Sequence, residues 1–191
     1  MKTNILKTVL LFITFTFINC SNNEDPQDQL PPITQTGANT FGCLVNGRVF
    51  VPKDAGPSTT PGGGRPRGLE ISSGDGLQSF NYYAINARNY IDTDIYIEDR
   101  PQQKKYTFKD SPGVSSSIQS PSYPHMFCVV NGVKYLSYEN SGYINFTIVD
   151  FAQEVCAGIF TVKLKNENNE NDIIEITEGR FDLICTEPIG D

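Results

Sequence analysis

Residues 156–185 read CAGIFTVKLKNENNENDIIEITEGRFDLIC. Apolar residues alternate with others through Gly158–Asn166, through Ile173–Thr177 and through Gly179–Cys185. A period of two sends successive side chains to opposite faces, as in a half-buried β-strand. The polar run Glu167–Asp172 (ENNEND) separates the first of these segments from the second. An antiparallel pairing that sets Phe160 opposite Phe181 also sets Cys156 opposite Cys185, Gly158 opposite Leu183, Val162 opposite Gly179 and Leu164 opposite Thr177. These residues share one largely apolar face. Directly opposed Cβ atoms lie about 4.5–5.5 Å apart, close enough for a disulfide after small adjustments. The register therefore predicts a Cys156–Cys185 bridge and leaves Cys43 and Cys128 to pair with each other or stay reduced. A bulge at Gly179 is the alternative, and it would shift the register.

The rest of the chain extends this pattern. FGCLV-NG-RVFV around Asn46-Gly47 and FCVV-NG-VKYL around Asn131-Gly132 both read as hairpins. Asn-Gly readily adopts the two positive φ angles of a type I′ turn. The copies match at Cys43, Val45, Asn46, Gly47 and Phe50 against Cys128, Val130, Asn131, Gly132 and Tyr135. LEIS, FNYYAINARNY, IDTDIYIED, KYTFKD and YINFTIVDF add further β-branched and aromatic segments. No sustained 3.6-residue period appears beyond the N-terminus. The expected fold is all-β, an antiparallel sandwich or barrel-like domain. Two long Gly/Pro- and Ser/Pro-rich loops, Pro52–Gly68 and Asp110–Pro124, are the expected contact segments.

At the N-terminus, Lys2 and Lys7 precede an uncharged run, Val9–Ile18. About ten apolar residues cannot span a bilayer as a helix but suit a secretory signal. The following Phe17-Ile18-Asn19-Cys20 resembles a bacterial lipobox, with Asn19 where a smaller residue is usual. The expected organisation is a signal peptide over 1–19, a lipidated Cys20 with a flexible tether over 20–40, and one β-rich domain over 41–191. Glu24 and Asp25 resemble the acidic tag that directs Bacteroidota lipoproteins to the cell surface; as plain tether charges they need no such role.

The net charge of −7 disfavours phosphate backbones and anionic lipid, so nucleic acid is not an expected partner. With Cys20 set aside, four cysteines remain, an even number that favours disulfides in an exported chain. They form no C-x-x-C pair, and with a single histidine no metal or other cofactor is expected. His125 would have to serve any Ser-His or Cys-His arrangement, and nothing local recommends it, so no catalytic residue is assigned. Asp92, Asp94 and Glu98, followed by Asp99, form an acidic cluster with three carboxylates on one strand face. Such a cluster could bind Ca²⁺ or hydrolyse glycosides, or simply be a solvated face. Gly62-Gly63-Gly64-Arg65 lacks the Lys-Ser/Thr and strand-to-helix setting of a phosphate loop. Tyr82, Tyr83, Tyr90 and Tyr96 could stack on sugar rings or pack within a sheet.

The opening Asn39-Thr40-Phe41-Gly42-Cys43-Leu44-Val45-Asn46-Gly47, Gly158-Ile159-Phe160 and Ile176–Asp182 complete the picture. This N-T-F-G-C-x-V-N-G opening with Gly-x-Phe strand motifs resembles a family of small uncharacterised Bacteroidota lipoproteins. The resemblance implies a β-rich envelope protein and no particular activity. The expectation is an outer-membrane or cell-surface lipoprotein that acts as a non-enzymatic binding or interaction module. Its partners would be the membrane, through lipid on Cys20, and an unknown protein or glycan ligand. An auxiliary glycan-binding lipoprotein and a carboxylate-dependent hydrolase are the alternatives. Cys20→Ala should release the protein from the membrane fraction; a variant that still pellets after carbonate washing would refute the anchor.

Overall fold

A computed structural model describes residues 25–54, 67–75, 81–114 and 123–185. The signal peptide, Cys20, Glu24 and the central parts of both long loops lie outside the described residues. Eleven strands form one curled antiparallel sheet, a half-barrel. They are β1 (Thr40–Val45), β2 (Arg48–Phe50), β3 (Leu69–Asp75), β4 (Asn81–Arg88), β5 (Asp92–Glu98), β6 (Lys105–Thr107), β7 (His125–Val130), β8 (Val133–Leu136), β9 (Gly142–Asp150), β10 (Val155–Asn166) and β11 (Asn169–Ile184). The order across the sheet is β2-β1-β11-β10-β8-β7-β5-β4-β3, and β9 pairs with both β10 and β6. Both Asn-Gly hairpins form as expected. Asn46, Gly47, Asn131 and Gly132 have φ of 49°, 77°, 51° and 81°, and Val45 pairs with Arg48 as Val130 pairs with Val133.

β10 and β11 form the spine of the sheet, in a register two residues away from the expected one. Phe160 lies opposite Gly179 and Phe181 opposite Gly158, while Cys156 faces Leu183. In this register each ring covers a glycine instead of the other ring. A Cβ on Gly158 would come 2.6 Å from Phe181 Cζ, and one on Gly179 2.7 Å from Phe160 Cδ1. A two-residue slip preserves the face of every side chain, so the apolar set still points inward. The Cys156–Cys185 disulfide forms as predicted, but diagonally, with Cα atoms 5.8 Å apart. Cys185 lies just past β11, where its N–H donates to the Glu154 carbonyl at 3.0 Å. Beyond Gly179 the register shifts, because Thr177 and Glu178 together occupy the space opposite Thr161, with Glu178 at φ 52°. This bulge also interrupts the β1–β11 ladder between Gly42 and Leu44, and it bends three strands at once. Val162 and Leu164 consequently meet Ile176 and Ile174. The ENNEND run is not a separate connection: β10 continues to Asn166 and β11 starts at Asn169.

The concave face holds the core. Phe41, Phe50, Ile85, Ile95, Met126, Ile144, Leu164 and Ile176 are among its fully buried side chains. Two runs of ring contacts cross it, Tyr90–Phe50–Phe41–Phe160 and Tyr106–Phe146–Phe181, with centroids 5.1–6.2 Å apart. β10 borders β9 from Val155 to Val162 and β8 only at Lys165 and Asn166. Buried Ser137 spans this fork: its hydroxyl donates to the Lys109 carbonyl at 2.6 Å and accepts from Met126 N–H at 3.0 Å.

The opposite, convex face is partly covered by the segment that composition reads as a flexible tether. From Asp25 onward this segment lies against the domain. Asp25 caps a single 3₁₀ turn at Pro26–Gln29. Leu30 is buried, and Leu30 and Pro31 occupy the space left by Gly42, where a Cβ would meet Pro31 Cδ at 2.6 Å. Asp182 then anchors the strap. Its carboxylate accepts from Thr34 Oγ1 at 2.6 Å, Thr36 N–H at 3.0 Å, Thr36 Oγ1 at 3.2 Å and Gly37 N–H at 2.8 Å. Gly37 takes φ +70°, which brings its N–H to the acid at little steric cost. Asp182 is only 1% exposed. Burial would raise its pKa, but the Thr34 hydroxyl and the N–H groups of Thr36, Gly37 and Ala38 outweigh that and hold it below the ordinary 3.8. Because the folded-state pKa is the lower one, this contribution to stability is complete above about pH 3.8 and is lost as pH falls through the folded value. Asp182→Ala should cost about 2–4 kcal/mol, from hydrogen bonds to a charged acceptor. It should also open residues 30–39 to limited proteolysis at neutral pH; equal cleavage rates in both proteins would contradict the anchor.

Candidate functional site

The residues singled out from sequence fall mostly into structural roles. His125 is fully buried at the start of β7. Its ring stacks on Tyr96 at 4.6 Å between centroids. Nδ1 lies 3.1 Å from the Tyr123 carbonyl and Nε2 3.0 Å from the Val114 carbonyl. A neutral imidazole has one N–H and can donate to only one of the two. Burial dominates over both hydrogen bonds and pushes its pKa below the ordinary 6.5. With both ring nitrogens on backbone carbonyls, the ring joins the two ends of the Ser/Pro loop.

The acidic cluster spreads along β5. Asp92 is exposed, Asp94 is buried beside Asn86 on the neighbouring strand, and Glu98 is half-buried. Same-face neighbours on a strand stand almost 7 Å apart. Among the described residues no three His, Cys, Asp or Glu side chains gather as a metal site. Of the four tyrosines that could stack on sugars, the Tyr82 side chain lies outside the described residues, and two of the others pack within the sheet instead. Tyr83 and Tyr96 are core residues at 1% and 4% exposure. Tyr90 packs its edge on Phe50 and carries the Arg48 guanidinium 4.1 Å above its ring. The Tyr83 hydroxyl is, among the described residues, the one buried side-chain polar atom with no hydrogen-bond partner.

Cys43 and Cys128 do not form the second bridge that was left open. Both are buried free thiols. They sit at equivalent places on β1 and β7, and three strands separate these in the sheet. Burial, then the neighbouring Cys128, raises the Cys43 pKa; burial, then Asp94, pushes Cys128 up to about 12. Neither is a thiolate nucleophile at neutral pH.

The remaining candidate is a cleft where the two edges of the sheet approach each other. Lys53 N–H donates to the Arg88 carbonyl at 2.9 Å, and Arg88 N–H donates to the Gly68 carbonyl at 2.6 Å. Gly68 N–H donates to Asp54 Oδ1 at 2.8 Å. Gly68 must lack a side chain, since a Cβ there would lie 2.5 Å from the Lys53 nitrogen. Asn89 and Tyr90 complete the seam through the Val51 and Val49 carbonyls at 2.8 and 3.2 Å. The cleft at this seam encloses about 670 Å³. Pro31, Phe41, Val51, Pro52 and Leu69 give it an apolar lining, with Lys53, Arg67 and Asp54 as its charged members. Val51 is a large apolar side chain left 37% exposed. No short motif marks this site, because it draws on the strap, β1, the segment after β2 and the approach to β3.

Comparison with protein-family models, with curated proteins and with solved structures finds no match to this chain.

The lowered His125 pKa sets an acid sensitivity distinct from that of Asp182. The unfolded chain takes up this proton first, so stability should fall as pH drops from about 6.5 towards the folded value. His125→Phe keeps an aromatic ring against Tyr96 and should flatten that part of the stability–pH curve in urea titrations. An unchanged slope would assign it to other groups.

Proposed function

We propose that this chain is an exported lipoprotein, held at the outer membrane or cell surface through lipid on Cys20. Its β domain acts as a non-enzymatic binding module that takes its ligand in the seam cleft. The cleft is the observation that carries this reading. It has room for a small molecule and a lining shared between apolar side chains and polar or charged ones, which together can hold and orient a ligand. Asp54 and Arg67, the described residues on either side of the Gly/Pro-rich segment, both line the cleft. The anchor rests on the charged, apolar and cysteine-bearing N-terminus, on the resemblance to Bacteroidota lipoproteins, and on a disulfide suited to an oxidising compartment. The glycan alternative loses Tyr83 and Tyr96 to the core, and the hydrolase alternative has Asp94 buried and its acidic neighbours strung along β5.

Purified domain titrated with 1-anilinonaphthalene-8-sulfonate should show saturable single-site fluorescence. Val51→Trp, which fills the cleft, should abolish that signal while shifting the thermal midpoint by only a few degrees, as expected for an exposed position. Absence of a saturable site in the unmodified domain would overturn the reading.

A further inference from the structure

The described part of the chain contains twelve lysines and arginines. Ten of them have a partner. Arg88, Lys163, Lys165 and Arg180 pair with carboxylates. Arg48, Arg100, Lys104, Lys105 and Lys109 lie over aromatic rings. Lys134 donates to the Gly113 carbonyl at 3.0 Å. The two without an anion, ring or carbonyl partner among the described residues are Lys53 and Arg67, and both line the seam cleft. In a chain of net charge −7, where the other described cations each have a partner, this is a concentration of uncommitted positive charge at one place.

The backbone holds the two in place. Lys53 is fixed by its N–H bond to Arg88, and Arg67 precedes Gly68, whose N–H and carbonyl are both bonded across the seam. The cleft's one carboxylate, Asp54, is turned to the Gly68 N–H at 2.8 Å. Beside these charges, Pro31, Val51, Pro52 and Leu69 present apolar surface.

From this juxtaposition we infer that the seam cleft selects a small amphipathic anion, with its acidic head between Lys53 and Arg67 and its apolar body along Val51, Leu69 and Pro31. The inference rests on the cleft being the binding site and adds the chemical class of ligand. Arg67 offers a planar fork for a carboxylate, sulfonate or phosphate head, and Lys53 a compact second charge. An apolar wall on one side lowers the local dielectric and strengthens both interactions relative to open surface. A neutral molecule of the same shape would gain the apolar contacts alone.

Two probes separate the inference from the reading beneath it. 1-Anilinonaphthalene-8-sulfonate and N-phenyl-1-naphthylamine share an aromatic body and differ by the sulfonate. The sulfonate should bind the unmodified domain more tightly, and added salt should weaken it. The Lys53→Gln/Arg67→Gln double variant should weaken it about tenfold or more, since each lost contact is to a charged group. Binding of the neutral naphthylamine should stay within about twofold, and both substitutions are at exposed positions that leave the backbone bonds intact. If the neutral probe binds at least as tightly, or the double variant holds the sulfonate unchanged, anion selection is refuted while the cleft stands as a binding site. If neither probe binds saturably, both the inference and the cleft reading fail.

Discussion

Two phenylalanines laid over two glycines set the geometry of this fold. Phe160 over Gly179 and Phe181 over Gly158 lock β10 to β11, the longest ladder in the sheet. From that register follow the diagonal reach of Cys156 to Cys185, the position of the bulge at Thr177–Glu178, and the bend passed to β1. The bend carries β1 and β2 round towards β3 and β4, so that Lys53 can bond Arg88 and a seam cleft can exist. A methyl group on either glycine would strike the ring opposite, and the interlock would have to loosen across all three strands.

The chain disposes of its ionisable groups according to what each environment can supply. Asp182 stays charged in a buried position because backbone and hydroxyl donors converge on it. His125 is driven towards neutrality because burial outweighs the two backbone carbonyls, which by themselves would favour its protonated form. Cys43 and Cys128 remain protonated because nothing near them favours a thiolate. A buried charge without partners would be costly, and each of these groups avoids that cost differently. Among the described residues Lys53 and Arg67 are the exceptions to local pairing, and they are exposed to solvent, where carrying charge costs little.

Much of the fold could be read from local pattern. The Asn-Gly pairs carry their own backbone chemistry, and the period-two alternation marked the inward faces correctly. The strand register was harder. Pairing like with like set phenylalanine against phenylalanine, whereas packing rewards large against small, and only the bulge shows where the extra residue goes. The disulfide survived the error because a two-residue slip keeps both cysteines on one face. The strap was hidden for a different reason. Most of its residues are polar, and beyond the seating of Leu30 and Pro31 on Gly42 their order comes from one acid about 145 residues away in sequence. Asp182, a lone carboxylate inside the apolar run RFDLIC, was the available hint. The cleft had none, being assembled from four segments that only the curled sheet brings together, and two of the tyrosines that could have stacked on sugars, Tyr83 and Tyr96, are held in the core.

If the lipid anchor proposed on Cys20 holds, the docked strap changes the mechanics of the chain. If residues 20–40 were all free, full extension at about 3.5 Å per residue would let the domain stand roughly 70 Å from its lipid. With the chain held from Asp25 onward, five residues remain, and the reach shrinks to about 18 Å. Such a domain rides close to the bilayer and cannot tumble far. Any pull on such an anchor would meet Leu30 and Pro31 seated on Gly42 first, and then the Thr34, Thr36 and Gly37 hydrogen bonds to Asp182. In such an arrangement that carboxylate would be the last hold between the strap and β1, and its release would lengthen the leash.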